Sequence, residues 1–61
     1  MALVRIENDK GQERWIDPES VRLVLKEDHG EGLTMIVLDE IHVFTRSTLK
    51  DVVDKINKEL R

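Results

Sequence analysis

The residues of this chain that could do chemistry are a few carboxylates and one glycine-rich segment. Asp39 and Glu40 are adjacent carboxylates, but neighbouring side chains on a tight turn point apart and make poor acid–base partners. Asp17 precedes Pro18, where an aspartate commonly caps a turn. Residues 30–32, Gly-Glu-Gly, lack the lysine and the following helix of a phosphate-binding loop. We therefore expect a protein that is not an enzyme.

The histidines and the absence of cysteine limit metal binding. A chain without cysteine has no disulfide and no thiolate metal site, and two histidines are too few for a histidine-rich site. We expect no metal and no cofactor. His29 lies in a polar loop, with no neighbouring group that suggests a catalytic triad. His42 lies between apolar residues, either as a half-buried histidine bonded to a neighbour or as a site residue at an interface.

Trp15 is the only tryptophan, and it follows Arg14 directly. Tryptophan and arginine are the residue types that most often anchor protein interfaces. Both also stack on nucleobases. Three interpretations of Trp15 stay open on the sequence alone: packing in the core, an anchor at an interface, or a stacking platform for a ligand.

Alternation of apolar and polar residues predicts five short strands. They cover residues 2–7, 12–16, 21–26, 33–38 and 41–45. Clusters of turn-forming residues separate them, and Asp17 to Ser20 forms a turn or a single 3-10 turn around Pro18. We expect consecutive strands to be neighbours in an antiparallel β-meander.

A helix is the clearest element of the pattern. Apolar residues three and four positions apart form one stripe near the end of the chain: Leu49, Val52, Val53, Ile56 and Leu60. Ser47 or Thr48 can serve as the N-cap. The pairs Asp51–Lys55 and Asp54–Lys58 should lie on the solvent side. The fold is therefore expected to be a single α+β domain over residues 1–61, with an amphipathic helix packed on one face of the sheet.

Length and charge restrict the partners of the protein. A 61-residue chain buries only roughly 60% of its unfolded surface, so a partner subunit is the support that remains for it. The net charge of −3 argues against nucleic acid. We expect no signal peptide in residues 1–7, because they lack a basic segment followed by a long apolar run, and no membrane insertion, because the longest apolar run covers only residues 35–38. We expect a cytoplasmic protein.

The strongest functional indication is that two strands are apolar on both sides. If one helix covers one face of the sheet, the other face of a monomer should be polar. Segments 35–38 and 41–44 are apolar at both alternating positions, except at His42. Either sheet twist buries part of the second face or that face meets another copy of the chain. We predict a homo-oligomer, a dimer or larger, with these interface or ligand candidates: Trp15, Arg14, His42, Phe44, Arg46, Ile36 and Leu38.

An ordered pattern along the chain resembles a known family. It consists of Val4-Arg5-Ile6, a turn with Gly11, Trp15-Ile16-Asp17-Pro18-Glu19-Ser20-Val21, Thr34-Met35-Ile36-Val37-Leu38, Val43-Phe44-Thr45-Arg46-Ser47 and Val52-Val53-Asp54-Lys55-Ile56. This order resembles the small FlbD/SwrD-like proteins of bacterial flagellar gene clusters, which have similar sequences in phage genomes. The resemblance implies a small cytoplasmic accessory or regulatory protein without catalysis, and it supplies no catalytic residues to carry over.

These observations favour a small non-enzymatic interaction or regulatory protein of bacterial or phage origin that acts as a homo-oligomer. The first alternative is a protein that binds or sequesters a nucleotide-like small molecule between subunits. Trp15 would then stack on the base, and Arg14, Arg46 and His42 would meet phosphates. The second alternative is an RNA-binding translational regulator, against which the acidic net charge counts.

Overall fold

The computed structural model describes residues 2–28 and 30–61 and has the predicted α+β architecture. The elements in chain order are β1 (Val4–Glu7), β2 (Glu13–Ile16), a 3-10 turn (Pro18–Ser20), β3 (Leu23–Lys26), β4 (Thr34–Val37), β5 (His42–Thr45) and α1 (Leu49–Leu60). Each strand has four residues and is shorter at its ends than the sequence pattern predicts. His29, predicted to lie in the loop between β3 and β4, is outside the described residues.

The strands form two antiparallel sheets. One sheet contains β1 and β2, and the other contains β3, β4 and β5 in chain order. The expectation that β2 and β3 would be neighbours is wrong, because the 3-10 turn redirects the chain between them. Pro18 has no backbone N–H, and the Asp17 Oδ1 atom caps the turn by accepting from the Glu19 N–H at 2.9 Å.

Backbone and side-chain hydrogen bonds join the first hairpin to β5. The Asp9 N–H donates to the Phe44 carbonyl at 2.9 Å. The Thr45 Oγ1 hydroxyl donates to the Glu7 carbonyl at 2.8 Å, and Thr45 is only 1% exposed. These bonds fix the end of β1 and its following loop against the last strand, so the two sheets surround one core.

The core lies between the two sheets and the helix. It consists of eight buried apolar residues: Val4, Ile6, Ile16, Ile36, Leu38, Val43, Val52 and Ile56. Val52 and Ile56 are the buried part of the predicted helical stripe, whereas Leu49 and Leu60 at its ends are 39% and 50% exposed. Burial of this stripe is what stabilises so short a helix, because helices of this length are marginal in isolation.

The helix begins as predicted but forms other ion pairs. Thr48 is the N-cap, and its Oγ1 atom accepts from the Asp51 N–H at 3.2 Å. Lys50 Nζ pairs with Asp54 at 3.0 Å. Lys55 Nζ donates to the Arg5 carbonyl at 3.0 Å, so it ties the helix to β1 and does not form the predicted pair with Asp51.

Candidate functional site

One face of the three-stranded sheet is apolar and is not covered by the core elements. The cross-strand register places two rows of side chains on this face: Leu23, Val37 and His42, and Leu25, Met35 and Phe44. We call these six residues the outer face. Residues between them in the strands, such as Ile36 and Val43, point to the core instead. In the described part of the chain, the helix and the first hairpin pack on that core side.

The outer face is partly open to solvent. Leu23 is 54% exposed, His42 is exposed, and the other four side chains are half-buried by their neighbours in the sheet. His42 is the one polar member, and its ring stands edge-on to Phe44 with centroids 5.2 Å apart. This composition differs from that of a sheet face that meets only water, which normally carries polar residues.

Two of the predicted contact residues belong to the core. Ile36 is 0% exposed and Leu38 is 9% exposed, so both side chains are buried within the chain. The reason is the side-chain alternation of a strand, which sends Ile36 inward and Met35 and Val37 outward. Because both sets are apolar, the sequence could not tell which of them faces the core. Ile36 and Leu38 therefore belong to the core of the chain and not to the outer face.

Trp15 lies on the exposed side of the first hairpin. The residue is 55% exposed, which excludes the core-packing interpretation. Its Nε1–H donates to the Glu13 Oε1 atom at 2.7 Å, and Glu13 Oε2 accepts from Arg5 Nε at 2.8 Å. Two hydrogen bonds hold the pKa of Glu13 below its usual range. The bond from Arg5 has the larger effect and the bond from Trp15 the smaller. Trp15 is therefore an oriented, exposed aromatic side chain beside an ion pair.

Arg14, His42 and Phe44 come together at a cleft between the first hairpin and β5. This cleft has a volume of about 200 Å³, and Lys10 and Asp9 also line it. We call it the hairpin cleft. Arg14 reaches it because alternate residues of β2 point to opposite sides, so Arg14 and Trp15 point away from each other. Three of the predicted site residues thus share one location.

Arg46 does not line the hairpin cleft. Its Nη2 atom pairs with Glu31 at 3.1 Å, and its Nε donates to the Asp9 carbonyl at 3.3 Å. Arg46 lines a separate cleft of about 320 Å³ together with Lys26 and Lys50. Neither Trp15 nor Arg46 lines the hairpin cleft. A nucleotide site formed by one chain would need both residues beside Arg14 and His42.

Sequence reasoning missed four apolar members of the outer face and one basic residue of the cleft. The outer-face members are Leu23, Leu25, Met35 and Val37. Their alternation was visible, but only the pairing of β3 with β4 shows that they share one face. Lys10 lies in the turn between β1 and β2, and it lines the cleft because the hairpin loop bonds to β5.

Comparison with known proteins gives no family assignment. No family model matches the chain, and neither a curated protein nor a solved structure matches it. The FlbD/SwrD-like resemblance stays a prediction. Within residues 2–28 and 30–61, no three histidines or carboxylates are grouped so as to hold a metal ion. The one helix in this part of the chain is too short and too polar to cross a membrane.

Proposed function

We propose that this protein is a small non-enzymatic interaction or regulatory protein that works as a homo-oligomer, and that its outer face contacts a second copy. One observation carries the proposal: five of the six outer-face side chains are apolar, and within the described residues the core lies on the opposite side of the sheet, while the first hairpin reaches only the His42 and Phe44 edge of the outer face. The FlbD/SwrD-like resemblance supports an accessory role in bacteria or phage. A chain without cysteine is compatible with the cytoplasm.

A second copy is favoured by the charge of the face. In a twofold contact, the same patch meets itself, so charged residues on it would repel their own counterparts. The outer face contains no lysine, arginine, aspartate or glutamate, although the chain has ten basic and thirteen acidic residues. A face of this kind can meet its own copy without electrostatic cost, whereas it offers a charged partner nothing to pair with.

The small size of the core also favours a second copy of the chain as the partner of the outer face. Only nine apolar residues of the described chain are buried. A domain below about 70 residues rarely gains more than a few kcal/mol from a single core, and oligomerisation is one of the few supports open to it. Mutual burial of Leu25, Met35 and Val37 from two copies would extend that core across the twofold axis.

The test is the mass of the untagged protein in solution over a range of concentrations, by sedimentation equilibrium. We expect the wild type to have a mass above that of one chain, and Met35→Lys to shift it toward one chain. Met35 is in the central strand of the outer face, so the lysine places two like charges in the contact. Native mass spectrometry of the same samples gives the number of chains.

A matched control separates the face from a general effect of added charge. Ile41→Lys adds the same charge at a residue that is 62% exposed and outside the outer face. We expect this variant to keep the wild-type mass. Far-UV circular dichroism checks that both variants are folded. A wild-type protein that is a single chain at every concentration, or an equal effect of the two lysines, would refute the proposal.

A further inference from the structure

The hairpin cleft carries a second indication of function. It is lined by two basic residues, Lys10 and Arg14, and by His42. They come from three places in the chain: the hairpin loop, β2 and β5. Phe44 supplies an apolar wall. The cleft therefore combines several hydrogen-bond donors with an aromatic surface, in a chain whose overall charge is −3.

Arg14 has a fixed position but no carboxylate partner. Its Nη1 donates to the Glu13 carbonyl at 2.9 Å, and its Nη2 donates to the Gln12 side-chain oxygen at 3.0 Å. Both acceptors are neutral. The other paired arginines of the described chain, Arg5, Arg22 and Arg46, each form an ion pair with an acidic residue. The charge of Arg14 is thus oriented but not compensated within the described residues, as in an anion site.

The loop that carries these groups is held in one conformation. Asn8 Oδ1 accepts from the Lys10 N–H at 3.0 Å and from the Gln12 N–H at 2.8 Å. Gly11 has a φ of +78°, which a residue with a side chain rarely adopts. The bond from the Asp9 N–H to the Phe44 carbonyl then fixes the loop to β5. A ligand would meet a preformed site, which reduces the entropy lost on binding.

The shape of the cleft limits what fits. Its volume of about 200 Å³ lies below the roughly 300–1,000 Å³ typical of sites for drug-sized ligands. Three donor side chains from three separate parts of the chain suit the several oxygens of a phosphate better than the two oxygens of a carboxylate. We infer that the hairpin cleft binds the phosphate group of a small molecule whose planar ring packs on Phe44. All the groups involved belong to one chain, although His42 and Phe44 also lie at the edge of the outer face, so the cleft and the self-association surface adjoin each other.

Asp9 makes the inference sharply testable, because it is the one acidic residue that lines the cleft. Its carboxylate lowers the affinity for an anion by direct repulsion. Removing the Asp9 charge should strengthen binding, whereas removing the Arg14 charge should weaken it. If the two substitutions acted only by destabilising the fold, both would weaken binding. Opposite effects would therefore indicate direct interaction of the two charges with the anion.

The experiment is a titration of the ¹⁵N-labelled protein with phenyl phosphate, inorganic phosphate, benzoate and phenol, followed by NMR. We expect saturable shifts at residues 8–14 and 42–44 with phenyl phosphate, weaker binding of inorganic phosphate and benzoate, and no binding of phenol. Arg14→Gln should weaken phenyl phosphate about tenfold or more, since it removes hydrogen bonds to a charged group. Asp9→Asn should tighten it about twofold or more.

Matched variants control for the net charge of the protein. Lys58→Gln makes the same charge change as Arg14→Gln on the solvent side of the helix, and Glu59→Gln does the same for Asp9→Asn. Both controls should leave the phenyl phosphate affinity unchanged within about twofold. The inference fails if no shift saturates, if Lys58→Gln weakens binding as much as Arg14→Gln, or if benzoate binds as tightly as phenyl phosphate. Sedimentation of the same samples reports self-association separately.

Discussion

The indole Nε1–H of Trp15 donates a 2.7 Å hydrogen bond to Glu13, two residues earlier on the same face of β2. The second oxygen of that carboxylate accepts from Arg5 on the paired strand at 2.8 Å. The cross-strand pair of Arg5 and Trp15 is thereby linked through one acidic residue. Because Trp15 is the only tryptophan, its indole signal reports on the state of Glu13 without interference.

This relationship predicts a specific pH dependence. The bonds from Arg5 and Trp15 lower the pKa of Glu13 from its ordinary value of 4.5. A lowered pKa in the folded state means that the carboxylate stabilises the fold above the pKa of the unfolded chain and loses this effect as the pH falls through the folded pKa. The NMR shift of the Trp15 Nε1–H should therefore titrate with a midpoint below 4.5.

Removing Arg5 should move that midpoint. Arg5→Gln takes away the largest cause of the lowered pKa, so the indole signal should titrate at a higher pH than in the wild type. Lys58→Gln removes the same charge from the end of the helix and should leave the midpoint unchanged. A wild-type midpoint at or above 4.5 would contradict the geometry of this cluster.

The division between core and outer face predicts how two isoleucines respond to the same small change. Ile36 is 0% exposed, and Ile41 is 62% exposed. Ile36→Val should lower the free energy of unfolding by about 1 kcal/mol, because it leaves a small cavity, whereas Ile41→Val should change it by less than about 0.5 kcal/mol. Urea unfolding at low protein concentration measures both. Equal effects would show that Ile36 is not the centre of the core.

The same contrast shows where sequence reasoning succeeds and where it stops. The helix was predictable because Val52 and Ile56 belong to a stripe that alternates with charged residues. The 3-10 turn was predictable from the chemistry of Asp17 and Pro18. The sequence did not predict which side chains of β4 point to the core, because Ile36 and its neighbour Met35 are both apolar. Only contacts between residues distant in sequence determine which of the two is buried.

The site shows the same limit. Arg14 and Trp15 were both singled out, but strand alternation sends them to opposite sides of the hairpin. Arg14 meets His42 only because the backbone bond from Asp9 to Phe44 fixes the hairpin loop to β5. These two bonded residues are 35 positions apart in the chain. Such a contact depends on how two sheets pack, which local residue patterns do not encode.

The N-cap of the helix gives a prediction with a neighbouring control. Thr48 Oγ1 accepts from the Asp51 N–H at 3.2 Å, so Thr48→Ala should cost about 1 kcal/mol of stability. Thr48→Ser keeps the acceptor and should restore most of the loss. Ser47→Ala is the control, since Ser47 bonds to Thr34 and Thr45 through its backbone. Thermal unfolding compares the three, and a larger loss in Ser47→Ala would place the cap one residue earlier.

The hydroxyl of Thr45 links the two sheets, and its removal should be costly. Thr45 is 1% exposed; its Oγ1 donates to the Glu7 carbonyl at 2.8 Å and accepts from the Ser47 N–H at 3.3 Å. Thr45→Val has a similar shape but leaves both backbone groups without this partner, at a cost of about 1–3 kcal/mol. Thr45→Ser keeps the hydroxyl and loses only a methyl group, so it should cost about 1 kcal/mol.

The location of the damage distinguishes this role from ordinary core packing. Amide hydrogen exchange should accelerate first in the hairpin of β1 and β2 of Thr45→Val, because the bond to Glu7 holds that hairpin to β5. The pairs between β3 and β4 should keep their protection, since none of their bonds involves the Thr45 hydroxyl. If Thr45→Ser loses as much stability as Thr45→Val, or if exchange rises equally in both sheets, the hydroxyl is not what joins them.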